Sequence, residues 1–423
     1  MKKLLKKIGT QALHALGLKK RSGFYGLGIA PKLMDILDAK GFVQPTPIQQ
    51  KSIPIATEGK DMVGIAQTGT GKTIAFSIPM IQRLAQAPGK ALVLLPTREL
   101  ALQVAEVCRD FAPAFNMGVA CLIGGEGKEG QLRDLNRKAR ILIGTPGRVY
   151  DHMERGAAKV HDARILVLDE ADRMFDMGFA PQINRIIRQL PTQRQTMLFS
   201  ATIPDEVMKL ASQHMKGPVR VEVAKSGTAA QNVVQELYVV RSSSKPMLLM
   251  KLLEKYTGTV LVFVETRYDA MKVAGFLSYA GYAVAELHSD RSMGQRKEAM
   301  EGFKSGKYRI LVATDIAARG IDVTGIELVV NYEMPAEDDA YVHRIGRTGR
   351  AGQPGRAVTF AMPEQGGDVR SIETLTGIPM TQVTHPEVPA ETLWGYNHAA
   401  TNRGWNQRAS RRPSGGGGGR RRR

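Results

Sequence analysis

Apolar residues along this chain come in short unbroken runs separated by stretches of helical spacing. From Phe24 to about Val223 the runs are Asp61–Ile65, Ala91–Leu95, Gly118–Ile123, Ile141–Gly144, Ile165–Leu168, Thr196–Ser200 and Val219–Val223. Between them lie amphipathic segments such as Ile74–Leu84, Glu99–Phe111 and Pro181–Gln189. A strand that alternates apolar and polar residues keeps one face in water, whereas an unbroken apolar run is buried on both faces. Helices interleaved with such strands supply the cover, so the pattern predicts a parallel sheet flanked by helices. The same alternation returns from Val233 to about Met362, with strands at Glu236–Val240, Val260–Val264, Ala283–Leu287, Ile310–Ala313, Leu328–Asn331 and Ala357–Phe360. The expected fold class is therefore α/β, with two tandem domains at 22–223 and 233–365. Small polar residues around Ala224–Gln231 read as the linker, 224–232.

The two ends differ from this pattern. Residues 1–21 place Leu5, Ile8, Ala12, Ala15 and Leu16 on one helical face with lysines on the others, a basic amphipathic helix. The segment lacks the sustained apolar stretch of a secretory signal, and its preference for lysine over arginine argues against a mitochondrial leader. After Pro363 periodicity fades, and Ser410–Arg423 is arginine, serine, one proline and five successive glycines. Residues 366–423 are accordingly expected to form a disordered basic tail.

Charge sharpens this picture. Of the net +19, residues 1–21 contribute seven basic side chains and residues 403–423 eight arginines, with no acid in either segment. Only about four positive charges remain for everything between. Basic ends on a nearly neutral core predict a polyanionic partner, nucleic acid first and an acidic membrane surface second. No apolar run reaches the roughly 18 residues of a membrane span. Two cysteines, Cys108 and Cys121, argue against a disulfide framework or a cysteine-built metal site, so a reducing, cytoplasmic setting is expected.

The chemistry starts at Ala66-Gln67-Thr68-Gly69-Thr70-Gly71-Lys72-Thr73, between the first apolar run and the first helix. A strand, a glycine-containing loop and a helix start together make a phosphate cradle, because backbone N–H groups and the helix dipole converge on an anion. Lys72 is placed to reach the outer phosphates of ATP and Thr73 to hold Mg²⁺. Ala66 stands where the generic pattern has its first glycine. A second nucleotide element, Asp169-Glu170-Ala171-Asp172, ends the apolar run Ile165–Leu168. Carboxylates at the C-terminal edge of a buried strand suit a ligand site in an open α/β sheet. There Asp169, with Glu170 beside it, serves Mg²⁺, and Glu170 is also placed to orient the attacking water.

Asp169-Glu170-Ala171-Asp172 spells the name-giving motif of the DEAD-box RNA helicases, and the chain resembles that family over roughly residues 22–365. The resemblance implies two tandem RecA-like domains, each a parallel sheet flanked by helices, carrying basic N- and C-terminal extensions. Phe24, Gly41-Phe42 and Pro45-Thr46-Pro47-Ile48-Gln49 resemble the adenine-reading motif, with Phe24 stacking and Gln49 pairing with adenine. Pro96-Thr97-Arg98, Gly124-Gly125 and Thr145-Pro146-Gly147-Arg148 resemble the RNA-backbone contacts of the first domain. Small residues, hydroxyls and arginines of this kind meet phosphate oxygens and carry no sequence code. Ser200-Ala201-Thr202 resembles the triplet that couples ATP to strand separation, its hydroxyls bridging to the acidic motif.

In the second half, Arg267 of Val262–Arg267 and Thr314 of Ala313-Thr314-Asp315 resemble RNA contacts, while Gly320 and Asp322 belong to the nucleotide set. Tyr341–Arg350 resembles the arginine-finger motif: Arg347 and Arg350 are assigned to the γ-phosphate, and His343 to the acidic motif. Arg344, Arg347 and Arg350 are spaced by three, which predicts one helical turn aiming all three at one target. The family usually has Gly at Ser289 and Gln at Met293, with Arg296 as the paired residue, so the glutamine's auxiliary RNA or interdomain contact is expected to be missing.

The function this implies is RNA-stimulated ATP hydrolysis, with ATP and Mg²⁺ as cofactors and single-stranded or short duplex RNA as partner. ATP and RNA would each favour one closed state of the two domains, so each raises affinity for the other, and unwinding would be local rather than processive. Rival readings are an ATP-gated RNA clamp or assembly scaffold, a DNA-translocating helicase, and a nonenzymatic RNA-binding protein. A monomer is expected, with ribosomal or RNA-decay proteins recruited through the tails. The short C-terminal extension resembles the bacterial RhlE-type members.

Overall fold

A computed structural model describes residues 22–395 apart from Thr68, Lys138, 224–232, 319–322, Thr324 and 350–354. The expected N-terminal helix, the linker and the arginine-rich end lie outside the described residues. The chain divides into two compact units, each built around one seven-stranded parallel sheet.

The first sheet holds β1 (Met62–Ile65), β2 (Lys90–Leu94), β3 (Gly118–Leu122), β4 (Ala139–Gly144), β5 (Ala163–Asp169), β6 (Gln195–Ser200) and β7 (Val219–Glu222). Their spatial order is β3-β4-β2-β5-β6-β1-β7. Successive side chains of a strand point to opposite faces, and the buried residues divide accordingly. Ala91, Val93, Ile141, Ile143, Ile165, Val167, Met197 and Phe199 enter one apolar cluster. Leu92, Leu94, Leu142, Leu166, Leu168 and Leu198 enter another on the opposite face. Each fully buried Leu, Ile or Val contributes about 1.5–3 kcal/mol, which is why both faces hold their helices. The helices Lys72–Gln86 and Arg98–Phe111 cover the first face, and Ala180–Gln189 covers the second. Cys108 and Cys121 are free and buried, and burial pushes each thiol up to about 12.

The second sheet holds β8 (Val233–Val239), β9 (Val260–Val264), β10 (Val284–Leu287), β11 (Ile310–Thr314), β12 (Leu328–Asn331), β13 (Gly355–Ala361) and β14 (Thr381–Gln382). Their order is β10-β11-β9-β12-β13-β8-β14. The two-domain expectation, each domain a parallel sheet flanked by helices, holds.

The second domain is longer than expected. Rather than a disordered tail from residue 366, a helix runs Gly366–Thr376, and β14 pairs in parallel with β8, Thr381 opposite Glu236. Val369 and Ile372 are fully buried, and Glu373, itself buried, accepts a hydrogen bond from the Met380 N–H at 2.7 Å. The Trp394 N–H donates to the Pro363 carbonyl at 2.7 Å, tying the chain down almost to its last described residue. Few apolar residues do this work, set among glycine, threonine and proline, so periodicity does not reveal them. Among the described residues no helix is long and apolar enough to cross a membrane.

Candidate functional site

In a parallel sheet every strand ends on the same edge, and the loops there build the site. The first sheet sorts its motifs along that edge. Loops after β1, β5 and β6 carry Ala66–Thr73, Asp169–Asp172 and Ser200–Thr202; loops after β2, β4 and β3 carry Pro96–Arg98, Thr145–Arg148 and Gly124–Gly125. Because the order is β3-β4-β2-β5-β6-β1, the phosphate and acidic elements occupy one block and the backbone-contact elements the adjacent block.

Gly69 and Gly71 adopt φ +83 and +88, left-handed values that favour glycine. A Cβ on Gly71 would stand 2.3 Å from Gln49 Nε2. Gln49 is buried and fixes this loop: its Nε2 donates to the Gly71 carbonyl at 3.0 Å, and its Oε1 accepts from the Thr46 N–H at 2.9 Å. Each end of that amide retains one further hydrogen-bonding site, so pairing with adenine is compatible with the tether. Phe24 is placed differently from expectation. Its ring is completely buried in the core with Leu33 and Ile48, so the face assigned to stack on adenine is occupied by packing. Thr70 donates to the Gln67 carbonyl at 2.6 Å, and the Ala66 N–H donates to the Ser200 carbonyl, joining the loop to β6. Thr68 lies outside the described residues.

Lys72 opens its helix with its side chain buried, and among the described residues its Nζ has no hydrogen-bond partner. Asp169 Oδ1 is 3.8 Å away, close enough for attraction and too far for a hydrogen bond. A buried ammonium without a hydrogen-bonding acceptor fits a site made for an anion. Burial raises the Asp169 carboxyl to about 6; Lys72 opposes the rise and Glu170 adds to it. Thr73, the second residue of that helix, is half-buried. Glu170 adopts φ 52, one of two non-glycine residues with positive φ among the described residues. Its Oε2 accepts from Arg173 Nη1 at 2.9 Å, and both side chains are buried.

The triplet after β6 meets Asp172, the last residue of the acidic motif. Asp172 Oδ2 accepts from the N–H groups of Ala201 (3.1 Å) and Thr202 (2.8 Å) and from Thr202 Oγ1 (3.0 Å). The Asp172 N–H donates to Ser200 Oγ at 3.0 Å. Sequence reasoning left out Asp172 and Arg173 as individual site residues; the spacing of the motif does not say which carboxylate holds the triplet or which cation answers Glu170.

In the adjacent block Arg98 starts its helix, capped by Thr97, whose hydroxyl accepts from the Leu100 N–H at 3.3 Å. The Arg98 guanidinium lies against Gly124 and Gly125: Cβ atoms there would meet it at 3.2 and 2.2 Å. Pro96 follows β2 on the same edge. Thr145 is the N-cap residue of the helix Pro146–Glu154, which carries Gly147 and Arg148 in its first turn. Arg148 Nη1 donates to Gln131 Oε1 (3.3 Å) and the Glu126 carbonyl (3.4 Å), while His152, also on Gln131, is buried and shifted toward its neutral form by burial. Three separate fragments thus come together at adjacent strand ends.

In the second unit Thr314 ends β11, and Arg267, exposed, starts a helix capped by Thr266. The expected arginine turn is corrected. The helix Asp338–Ile345 stops with Gly346 at its C-cap, so Arg344 and Arg347 do not share one helical face. Arg344 is buried, donates to the Glu333 carbonyl at 2.6 Å and lies 5.2 Å from the Phe263 ring centre, a packing role. Arg347 lies in the following turn, buried, with its Nε donating to the His343 carbonyl at 3.2 Å. His343 is half-buried on the helix. Gly320, Asp322 and Arg350 lie outside the described residues.

Comparison with known proteins agrees with this arrangement. The sequence model of the DEAD/DEAH box helicase family matches residues 46–210, and that of the helicase conserved C-terminal domain matches residues 244–352. The ATP-dependent rRNA helicase RRP3 of Debaryomyces hansenii is 41% identical over 345 residues, covering 81% of this chain and 72% of the relative. The DEAD-box ATP-dependent RNA helicase CshA of Geobacillus kaustophilus is 39% identical over 383 residues, 90% of this chain and 82% of its own. Among solved structures, S. cerevisiae Dbp5 bound to RNA and ADP BeF3 matches with a TM-score of 0.77 and 32% identity, over 86% of this chain and 95% of that one. Mss116p bound to ssRNA and AMP-PNP matches with a TM-score of 0.78 and 27% identity, over 90% and 80%. The chain belongs to the DEAD-box family of ATP-dependent RNA helicases.

Proposed function

We propose that this chain is an RNA-stimulated ATPase that opens short RNA duplexes locally and so remodels RNA. The observation that carries the reading is the division of one sheet edge into a block of phosphate and carboxylate elements and an adjoining block of backbone-contact elements. A ligand-driven change on one block therefore has a short mechanical path to the other through β5 and β2, which are hydrogen-bonded neighbours.

Lys72 and the N–H groups around Gly69 and Gly71 hold the phosphates. Gln49 pairs with the adenine through the hydrogen-bonding capacity its tether leaves open. Thr73 and Asp169 fit a magnesium ion, which takes one or two protein oxygens and completes its shell with phosphate oxygens and water. Among the described residues no three His, Cys, Asp or Glu cluster into a protein-built cage, consistent with an ion held largely by the nucleotide. When bound, magnesium supplies charge neutralisation on the phosphoryl oxygens. Glu170 orients the attacking water and takes its proton, and Arg347 and Arg350 supply the finger charge that stabilises the transferring phosphoryl group.

Arg98, Gly124–Gly125, Thr145–Arg148, Thr314 and Arg267 contact the RNA backbone, which makes binding insensitive to sequence. The choice of RNA over DNA rests on 2′-hydroxyl contacts. The cytoplasm is the setting in which such a monomer would work, its basic ends adding affinity and recruiting RNA-associated proteins. The test compares ATP hydrolysis by the full chain with single-stranded RNA, single-stranded DNA and no nucleic acid. Stimulation by RNA alone supports the reading; equal stimulation by DNA, together with directional movement, would replace it with a DNA translocase.

A further inference from the structure

Arg173 sits three residues after Glu170, on the first turn of the short helix Ala171–Asp176. Its position carries a desolvation cost. Its side chain is 1% exposed, so a guanidinium has been taken out of water, and among the described residues its Nη2 has no hydrogen-bond partner. Ala171 and Met174, its neighbours on the helix, belong to the apolar cluster on that face of the sheet. An apolar side chain of similar volume would pack there without that cost, since buried ion pairs are weak sources of stability.

What Arg173 does have is Glu170: Nη1 meets Oε2 at 2.9 Å, with the carboxylate itself 3% exposed. Glu170 is held at φ 52 and ψ 52, a backbone conformation that L-residues adopt only when the surroundings enforce it. Its N–H donates to Asp169 Oδ1 at 3.0 Å, and its carbonyl accepts from the Met174 N–H at 3.1 Å. The backbone is therefore fixed on both sides, and the side chain is fixed by Arg173.

We infer that Arg173 is a positioning residue for hydrolysis: it holds the Glu170 carboxylate aimed while leaving nucleotide binding to the phosphate loop. The inference rests on the reading of Glu170 as the group that orients the attacking water.

The experiment measures RNA-stimulated ATP hydrolysis by the full chain as wild type, R173Q, R173K and E170Q. For each variant the ATP KM, the affinity for the non-hydrolysable analogue AMP-PNP and the thermal midpoint are also recorded. R173Q should lower kcat by about 10- to 100-fold, the scale of a misplaced catalytic group, with KM and analogue affinity within about twofold of wild type. R173K, which keeps the charge and loses the planar fork, should recover part of kcat. An unchanged kcat in R173Q, or a loss that follows analogue affinity or thermal midpoint, overturns the inference. If R173Q does not fold, R173K decides alone: wild-type kcat overturns the inference, and reduced kcat at unchanged analogue affinity supports it. Turnover surviving in E170Q would instead overturn the reading of Glu170, whereas a dead E170Q beside a fully active R173Q removes only the role of Arg173.

Discussion

Lys72 Nζ and Asp169 Oδ1 face each other at 3.8 Å inside the protein, both side chains buried and the ammonium without a hydrogen bond among the described residues. Neither charge is satisfied by the other at that distance. The gap fits the proposed division of labour, in which Lys72 meets phosphate and Asp169 a metal ion. Lys72→Ala should reduce ATP turnover to background, and AMP-PNP binding should weaken by at least tenfold. RNA-stimulated hydrolysis at the wild-type rate in this variant would remove the phosphate loop from the mechanism.

The same pair makes a prediction about pH. Asp169 ionises near 3.8 when unfolded and is raised to about 6 by burial in the fold. The folded chain thus keeps a proton that the unfolded chain releases. Stability from this group is fully present below pH 4 and is lost as pH rises through 6, on the order of 1–3 kcal/mol. Without nucleotide or divalent metal, Asp169→Asn should remove that fall, so its thermal midpoint should gain on wild type between pH 4 and 7. Parallel pH profiles for the two proteins would contradict the placement of the carboxylate.

Gly71→Ala tests the tether between the adenine motif and the phosphate loop. A side chain at φ +88 costs about 1–2 kcal/mol by itself. The new Cβ would also displace Gln49, which two hydrogen bonds hold in place. Calorimetry should show lower stability and weaker ATP binding together. Wild-type ATP affinity in a destabilised Gly71→Ala protein would mean that Gln49 does not shape the loop.

Asp172 joins the acidic motif to β6 through three accepted hydrogen bonds. Thr202→Ala removes one of them and should cost about 1 kcal/mol in denaturant unfolding. If this contact transmits nucleotide state, duplex unwinding should fall more than RNA-stimulated ATP hydrolysis. Equal losses in both would confine Thr202 to a structural role.

Removing residues 403–423 deletes eight arginines. RNA affinity should drop, and the slope of log affinity against log salt should flatten by about 0.7 for each phosphate of a single strand that the arginines had neutralised. An unchanged slope would show that the arginines do not reach the RNA.

Much of this was legible in the sequence because burial on both faces leaves a strong mark. Val260–Val264 and Leu328–Asn331 have the bounds their apolar runs imply. Features that depend on a few neighbours left a weaker mark. The helix Gly366–Thr376 and β14 are anchored by Val369, Ile372 and Met380 amid polar residues, too sparse for a period to emerge. Phe24 fits an adenine-stacking motif by spacing, yet spacing does not tell whether an aromatic ring ends inside a core. Arg344 shares its interval with Arg347, but the helix ends between them, so equal spacing ceased to mean equal direction. Arg173 and Asp172 belong to the acidic stretch by position, and their roles follow from partners that no linear pattern names.

The proposed helicase converts ATP use in the first unit into strand separation of RNA. The direct measurement is opening of a short RNA duplex by the full chain with ATP, with Lys72→Ala as control. The account predicts ATP-dependent opening that falls steeply as the duplex is lengthened and is absent in Lys72→Ala. Tight ATP-dependent retention of RNA with no duplex opening at any length would contradict it and leave an ATP-gated clamp.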